Sequence, residues 1–263
     1  MGTKSPIEQL KSEAEANFKA NRWEDSAKTY EHLVRLAQDE GDLPLAIDFA
    51  IAAIRSWSKM PDKKARITRL YQAIGFLGLK QAAIGFESIA RKAEEAKNLK
   101  EAATNYENAA DGYNYLSNFD RAKKCFENSV SILEELGKKA YGSKDLESAI
   151  HLYDRIIIIY QKLVKILDRI FLEQKEIEEE TRKKLKKEKK KMKEAEKSNK
   201  KKKAKAHEKL AASFLKKEDS DYYRVAEKEF LRAMELFQEL DDSSSVKRVK
   251  EKIKKAKDLF SIK

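Results

Sequence analysis

Turn-forming residues are scarce: 8 Gly and 3 Pro (Pro6, Pro44, Pro61) serve 263 residues. A sandwich, a barrel or a doubly wound sheet needs frequent turns, so this scarcity excludes them and leaves an all-helical chain as the expectation. Cysteine is rarer still. A single thiol, Cys125, rules out an internal disulfide framework and any multi-thiolate metal site, and it fits a reducing compartment. No stretch approaches eighteen uncharged apolar residues, and the amino terminus has no apolar run of signal-peptide length. Neither export nor membrane spanning is expected, and the localisation read from this is cytoplasmic or peripheral to membranes. Met1-Gly2 followed by Ser5-Pro6 also misses the myristoylation pattern, because Pro6 stands where Ser or Thr is required. What the chain has in quantity is apolar residues (41%) and charge (39%), enough to bury a core beneath charged helix faces.

The charge is unevenly placed. Between Arg182 and Lys205 there are 15 Lys+Arg against three carboxylates (Glu188, Glu194, Glu196), or +12 in 24 residues. The whole chain also carries +12, so the remaining 239 residues are balanced. A pI of 9.4 therefore describes one segment and not a basic domain, and any argument for nucleic acid must rest on that segment alone.

Elsewhere one phrase recurs seven times: a large apolar residue, a small one three later, an aromatic or apolar one four after that, and another three on. The instances are Trp23-Ser26-Tyr30-Leu33, Leu43-Ala46-Ala50-Ala53, Leu79-Ala82-Phe86-Ile89, Leu99-Ala102-Tyr106-Ala109, Phe119-Ala122-Phe126-Ser129, Leu146-Ala149-Tyr153-Ile156 and Tyr223-Ala226-Phe230-Ala233. At roughly 100° per residue these offsets fall within an arc of about 80°, so each phrase predicts one buried stripe of an amphipathic helix. The small residue marks a close helix crossing. Turn cues (Asn21-Arg22, Glu40-Gly41-Asp42, Lys97-Asn98, Ser117-Asn118, Gly142-Ser143) precede the phrases, which puts each phrase at a helix start. The small residues are spaced 20, 36, 20, 20, 27 and 77 apart; twenty is one helix plus one turn, and the 36 leaves room for an extra helix over about 62–77. Consecutive antiparallel helices from Pro6 to Phe171 form the predicted solenoid.

These residues carry a resemblance. Phe119-x-x-Ala122-x-x-x-Phe126 matches the second helix of a tetratricopeptide repeat, and Tyr71-x-x-Ile74-Gly75 echoes the first-helix motif. The 20-residue recurrence is more similar to the SNAP family, the soluble attachment proteins for the SNARE-disassembling ATPase. Phe18-Lys19-Ala20-Asn21-Arg22-Trp23 with Ala27, Tyr30 and Leu33, then Gly41-Asp42 and Ala46-Ile47, resembles that family's early helices, and the likeness covers about residues 12–160. It implies a tetratricopeptide-like solenoid that adapts SNARE-like helical bundles to an AAA ATPase in vesicle trafficking. That family ends in an acidic stretch with a leucine next to last that contacts the ATPase; here the next-to-last residue is Ile262, in a basic setting.

Three segments follow: a solenoid over 1–172, a Lys-rich extension over 173–206 that is helical or disordered, and a helical hairpin or cap over 207–263. In the extension Ile170, Ile177, Leu185 and Met192 recur about once per two turns, which reads as too thin a stripe to bury, with Ser198-Asn199 as its expected break. Its cations (Arg182, Lys183, Lys184, Lys186, Lys187, Lys189, Lys190, Lys191, Lys193, Lys200, Lys201, Lys202, Lys203 and Lys205) read as an anion-binding arm or as a solvated linker. Lys dominates Arg and no aromatic is interleaved from 172 to 213, so only phosphate or carboxylate attraction remains; an anionic membrane, RNA and an acidic protein stay open. A nucleic-acid or ribosome-associated protein, or a membrane tether, is thus the alternative to the adaptor.

No catalytic or metal constellation is legible. His32, His151 and His207 lie in different predicted helices without metal-ligand spacing, and Cys125 beside Phe126 reads as a small buried apolar residue. Gly75, Gly78 and Gly85 sit in helical surroundings and read as aids to close packing. The expectation is a non-enzymatic protein binder without cofactor or small-molecule substrate.

Overall fold

A computed structural model describes residues 5–173, 179–217 and 220–261. They form ten α-helices: α1 (Pro6–Lys19), α2 (Trp23–Asp39), α3 (Leu43–Trp57), α4 (Lys64–Glu95), α5 (Leu99–Tyr115), α6 (Phe119–Gly142), α7 (Leu146–Glu173), α8 (Glu179–Leu215), α9 (Ser220–Glu239) and α10 (Ser243–Ser261). No strand occurs among the described residues. The first helix is set by its sequence: Ser5 and Glu8 form a reciprocal capping box and Pro6 occupies the first turn, where its missing N–H costs nothing.

One turn design joins six of the helix pairs. Asn21, Gly41, Lys97, Ser117, Lys144 and Asp241 all adopt positive φ, between 55° and 79°, each two residues before the next helix. The residue after each donates its N–H to a carbonyl five back, as in Arg22 to Asn17, Asp42 to Ala37 and Asn118 to Tyr113 (2.9, 2.9 and 2.8 Å). This Schellman closure satisfies carbonyls left open by the ending helix. Where the donor is Asp42, Asp145 or Asp242, its carboxylate also caps the new helix by accepting from the N–H of Leu45, Ser148 or Ser245. A short turn of this kind makes chain neighbours pack in order, and the fold class is an all-α helical solenoid.

The chain divides into two compact units, Met1–Ser88 with Asp111–Asn118 and Ile89–Ala110 with Phe119–Lys263. In the first, α1, α2 and α3 stack in sequence over a core of Tyr30, Leu33, Phe49 and small residues, with Leu77 of α4 added. The small positions of the phrase sit at the crossings. Ser26, fully buried, donates to the Ala14 carbonyl of α1 at 2.9 Å and lies 3.1 Å from the Ser56 hydroxyl of α3. In the second unit α6, α7, α8, α9 and α10 pack in order. Phe126, Ile156, Leu163, Phe230, Phe237 and Val249 are essentially inaccessible, each large one worth about 1.5–3 kcal/mol by burial.

Six of the seven phrases lie on buried faces, with Tyr30, Ala46, Ala102, Tyr106, Ala122, Phe126, Ala149, Tyr153, Ala226 and Phe230 all buried. The exception is in α4. Leu79, Ala82, Phe86 and Ile89 are exposed, and the buried line runs one position over, through Ala83, Ala90 and Ala93. The expected extra helix over 62–77 is not separate: α4 continues through it for 32 residues. Gly75, Gly78 and Gly85 offer neither a cap nor positive φ, so nothing stops the helix, and no atom lies within 4 Å of where their Cβ would be. The close approaches are elsewhere. A Cβ on Gly112 would stand 2.9 Å from Ala83 Cβ, and one on Gly137 would stand 3.0 Å from the Tyr153 ring.

Candidate functional site

The lysine-rich segment is where the structure departs furthest from the thin stripe expected of it. α8 runs unbroken from Glu179 to Leu215, through Ser198-Asn199, and position 206 falls inside it. Met192, Asn199, Ala204, Ala206, His207, Glu208 and Ala211 are buried. An alanine every few residues lets α8 approach its neighbours where an apolar count finds little, and ion pairs complete the contact. Asn199, the expected break, donates to Glu134 of α6 and to the Ala195 carbonyl at 3.1 and 3.0 Å. Ile177 and Ile262 lie outside the described residues.

The tract's cations divide into two sets. Lys189 pairs with Asp168 of α7, Lys203 with Asp154 of α7 (2.5 Å), Lys202 with Glu134 of α6 (3.6 Å), Lys200 with Glu239 of α9 (3.2 Å), and Lys201 with Asp242 (3.0 Å). Burial works against the Lys200 ammonium, but Glu239 and Glu196 outweigh it and hold its pKa above the ordinary lysine value. Lys183 and Lys184 pair within α8 with Glu179 and Glu180, and the Arg182 guanidinium lies 5.0 Å from the Phe171 ring centre. The second set, Lys186, Lys187, Lys190, Lys191, Lys193 and Lys205, together with Lys197, is exposed and makes no ion pair with any described residue.

Two polar clusters tie α8 to the terminal hairpin. His207 Nδ1 and the Glu229 carboxylate of α9 are 2.5 Å apart, both nearly inaccessible, and Arg232 reaches the same carboxylate at 2.5 Å. Burial lowers the His207 pKa and the Glu229 hydrogen bond works the other way, with a net lowering. One position on, Glu208 accepts from Arg248 (2.9 and 3.1 Å) and Lys252 (2.7 Å) of α10. Sequence spacing missed both clusters, since partners 22 and 40–44 residues away leave no local pattern. The available signal was a His-Glu pair placed among Ala204, Ala206 and Ala211.

Two clefts border α8. One of about 650 Å³ is walled by Glu127, Glu134, Tyr160 and Leu163 with Lys187, Lys191 and Met192; burial raises the Glu127 carboxyl. The other, of about 640 Å³, holds His151, Asp154, Lys203, His207 and Glu229. Among the described residues no group of three His, Cys, Asp or Glu is arranged to hold a metal. Cys125 is buried and His151 exposed. No described helix is long and apolar enough to cross a membrane.

The first unit carries a different feature. Phe76, Leu79 and Phe86 of α4, at i, i+3 and i+10, are 53%, 37% and 36% exposed, and Tyr115 of α5, 67% exposed, stands 6.5 Å from the Phe76 ring. Tyr71 and Ile84 are exposed on the same helix.

No family model and no curated protein matches the sequence. Among solved structures, a circular tandem repeat protein with novel repeat topology and enhanced subunit contact surfaces is 15% identical at a TM-score of 0.28. That match covers 96% of this chain, which spans 56% of that one. BtubC (BKLC) from P. vanneervenii is 14% identical at a TM-score of 0.22, over 98% of this chain and 93% of its own.

Proposed function

We propose that the chain is a non-catalytic adaptor that binds helical protein partners, as the SNAP-like phrase implies: a SNARE-like bundle on one side and an AAA ATPase on the other, in vesicle trafficking. The observation that carries the reading is the apolar row Phe76, Leu79 and Phe86 with Tyr115, large side chains left in water on one side of a helix that packs through Leu77, Ala83 and Ala90. A cluster of this kind marks a protein contact more often than it marks neglect. Ridges on a partner helix repeat every three to four residues, the same period as this row. The phrase supplies the scaffold that holds the row in place, since Gly112 lets α5 close on Ala83 beside it.

The test is fluorescence anisotropy against a panel of coiled-coil bundles, with the ATP turnover of a hexameric ATPase measured alongside. Binding that drops by tenfold or so in a Phe76→Ser, Leu79→Ser, Phe86→Ser variant, with helicity unchanged, supports the adaptor. Absence of binding across the panel with no change in ATPase rate removes it.

A further inference from the structure

We infer that Lys186, Lys190, Lys193 and Lys197 form a docking stripe for an anionic lipid bilayer. Their 4-3-4 spacing puts all four within an arc of about 60°, over roughly 17 Å of helix. The opposite face of α8 packs: Met192 is buried there and Asn199 reaches Glu134 of α6, about 130–150° around the helix from the stripe, while Lys189 and Lys203 reach α7 from the flank between. Toward the carboxyl end of α8 the stripe's own face is covered, because Ala204 and Ala211 join the core formed with α9 and α10. The four lysines are thus what remains of that face once the protein's own carboxylates and apolar surface have been used. Glu194 and Glu196 stand on the two flanks of the stripe, Glu196 paired with Lys200, and Glu179, two turns before Lys186 on the same face, is paired with Lys183.

The shape of the array favours a bilayer over nucleic acid. A straight row on one helix face meets a flat layer of phosphates along its full length, whereas the phosphates of a duplex curve away. Single strands are held by aromatic stacking, and no aromatic lies within α8 before Phe214. Lysine ammoniums act as point charges toward lipid headgroups, each worth about fivefold in partitioning at an acidic surface. An apolar group stands at the same end: Leu172 is 73% exposed, beside Phe171, whose ring the Arg182 guanidinium covers. Basic charge with an exposed apolar group is the pair of signals that peripheral attachment requires. The inference is independent of the adaptor reading.

The experiment is vesicle flotation of the full chain on phosphatidylcholine with and without about 30% phosphatidylserine, at low salt and at about 0.5 M. Beside it run Lys186→Gln, Lys190→Gln, Lys193→Gln, Lys197→Gln and a control losing four exposed lysines elsewhere (Lys11, Lys80, Lys124, Lys165). Poly(U) RNA is titrated against all three proteins. The stripe predicts flotation that needs acidic lipid, disappears in salt, falls several hundredfold in the stripe variant and falls far less in the control. Flotation indifferent to acidic lipid, equal loss in both variants, or no flotation with tight RNA binding lost in the stripe variant would each overturn it. The lipid and salt dependence of the unmodified chain needs no variant to fold, so a misfolded mutant leaves the result decisive.

Discussion

Gly78 and Gly112 lie in neighbouring helices of the first unit and answer opposite questions. A Cβ on Gly78 meets nothing within 4 Å, so Gly78→Ala adds helix propensity and relieves backbone entropy without strain. A Cβ on Gly112 lands 2.9 Å from Ala83 Cβ, a contact between two side-chain stubs that no rotamer can relieve. Gly78→Ala is expected to stabilise by about 0.5–1 kcal/mol, and Gly112→Ala to cost about 1–3 kcal/mol. Urea midpoints of the two single variants check the pair; if they move the same way, the close approach of α5 to α4 at Ala83 is wrong.

At the scale of the element, legibility depended on whether the cause was local. The turns could be read because positive φ, a polar cap and the phrase that follows are all within a few residues, and five of the six recurring turns coincide with a cue in the sequence. The buried faces of α2, α3, α5, α6, α7 and α9 followed from the phrase for the same reason. α4 defeated the method because its apolar residues outnumber what its neighbours can cover: Ala82 and Phe86 fit the spacing as well as Ala83 and Ala90 do, and only the partner helix decides. α8 defeated it from the other side, since its packing is by alanine and by ion pairs with carboxylates on α6, α7 and α9 and with Asp242 in the turn before α10. The Glu208 cluster shows what such pairing contributes. Burial pushes the Glu208 carboxyl up, yet hydrogen bonds from Arg248 and Lys252 outweigh it and hold the pKa below the ordinary glutamate value. The stability this supplies is present above a pH of about 4.3 and is lost as pH falls through the depressed folded value. Because both cations are nearly half exposed, Glu208→Ala is expected to cost only about 1–3 kcal/mol. The loss should appear first in α10, as faster amide exchange there than in α2 and α3. Uniform exchange changes would mean that α10 is held by Val249 and its apolar neighbours alone.

For the whole molecule the question is whether +12 in 24 residues is a detachable arm or part of the fold. An arm could be removed with its charge and nothing else. The packing of α8 says otherwise: residues 182–205 include Asn199 on Glu134, Lys203 on Asp154, Lys200 on Glu239 and the buried Met192 and Ala204. Deleting them takes away Ala204 and the Lys200 pair from under α9 and removes the contacts to α6 and α7, so the loss of structure should exceed the 24 residues removed. Expected are a lower melting temperature, a helicity deficit larger than the deleted share, and binding of a hydrophobic dye by the exposed faces of Phe230 and Phe237. The four-lysine stripe variant removes charge from the same stretch while touching no packed atom, and its melting temperature should stay within about a degree of the unmodified protein's. Circular dichroism and dye fluorescence of the two side by side decide the matter. If the deletion melts like the parent, the lysine helix is an appendage after all; if only the deletion fails, its charge and its packing are separable, and any loss of anion binding on deletion must be read through the stripe variant instead.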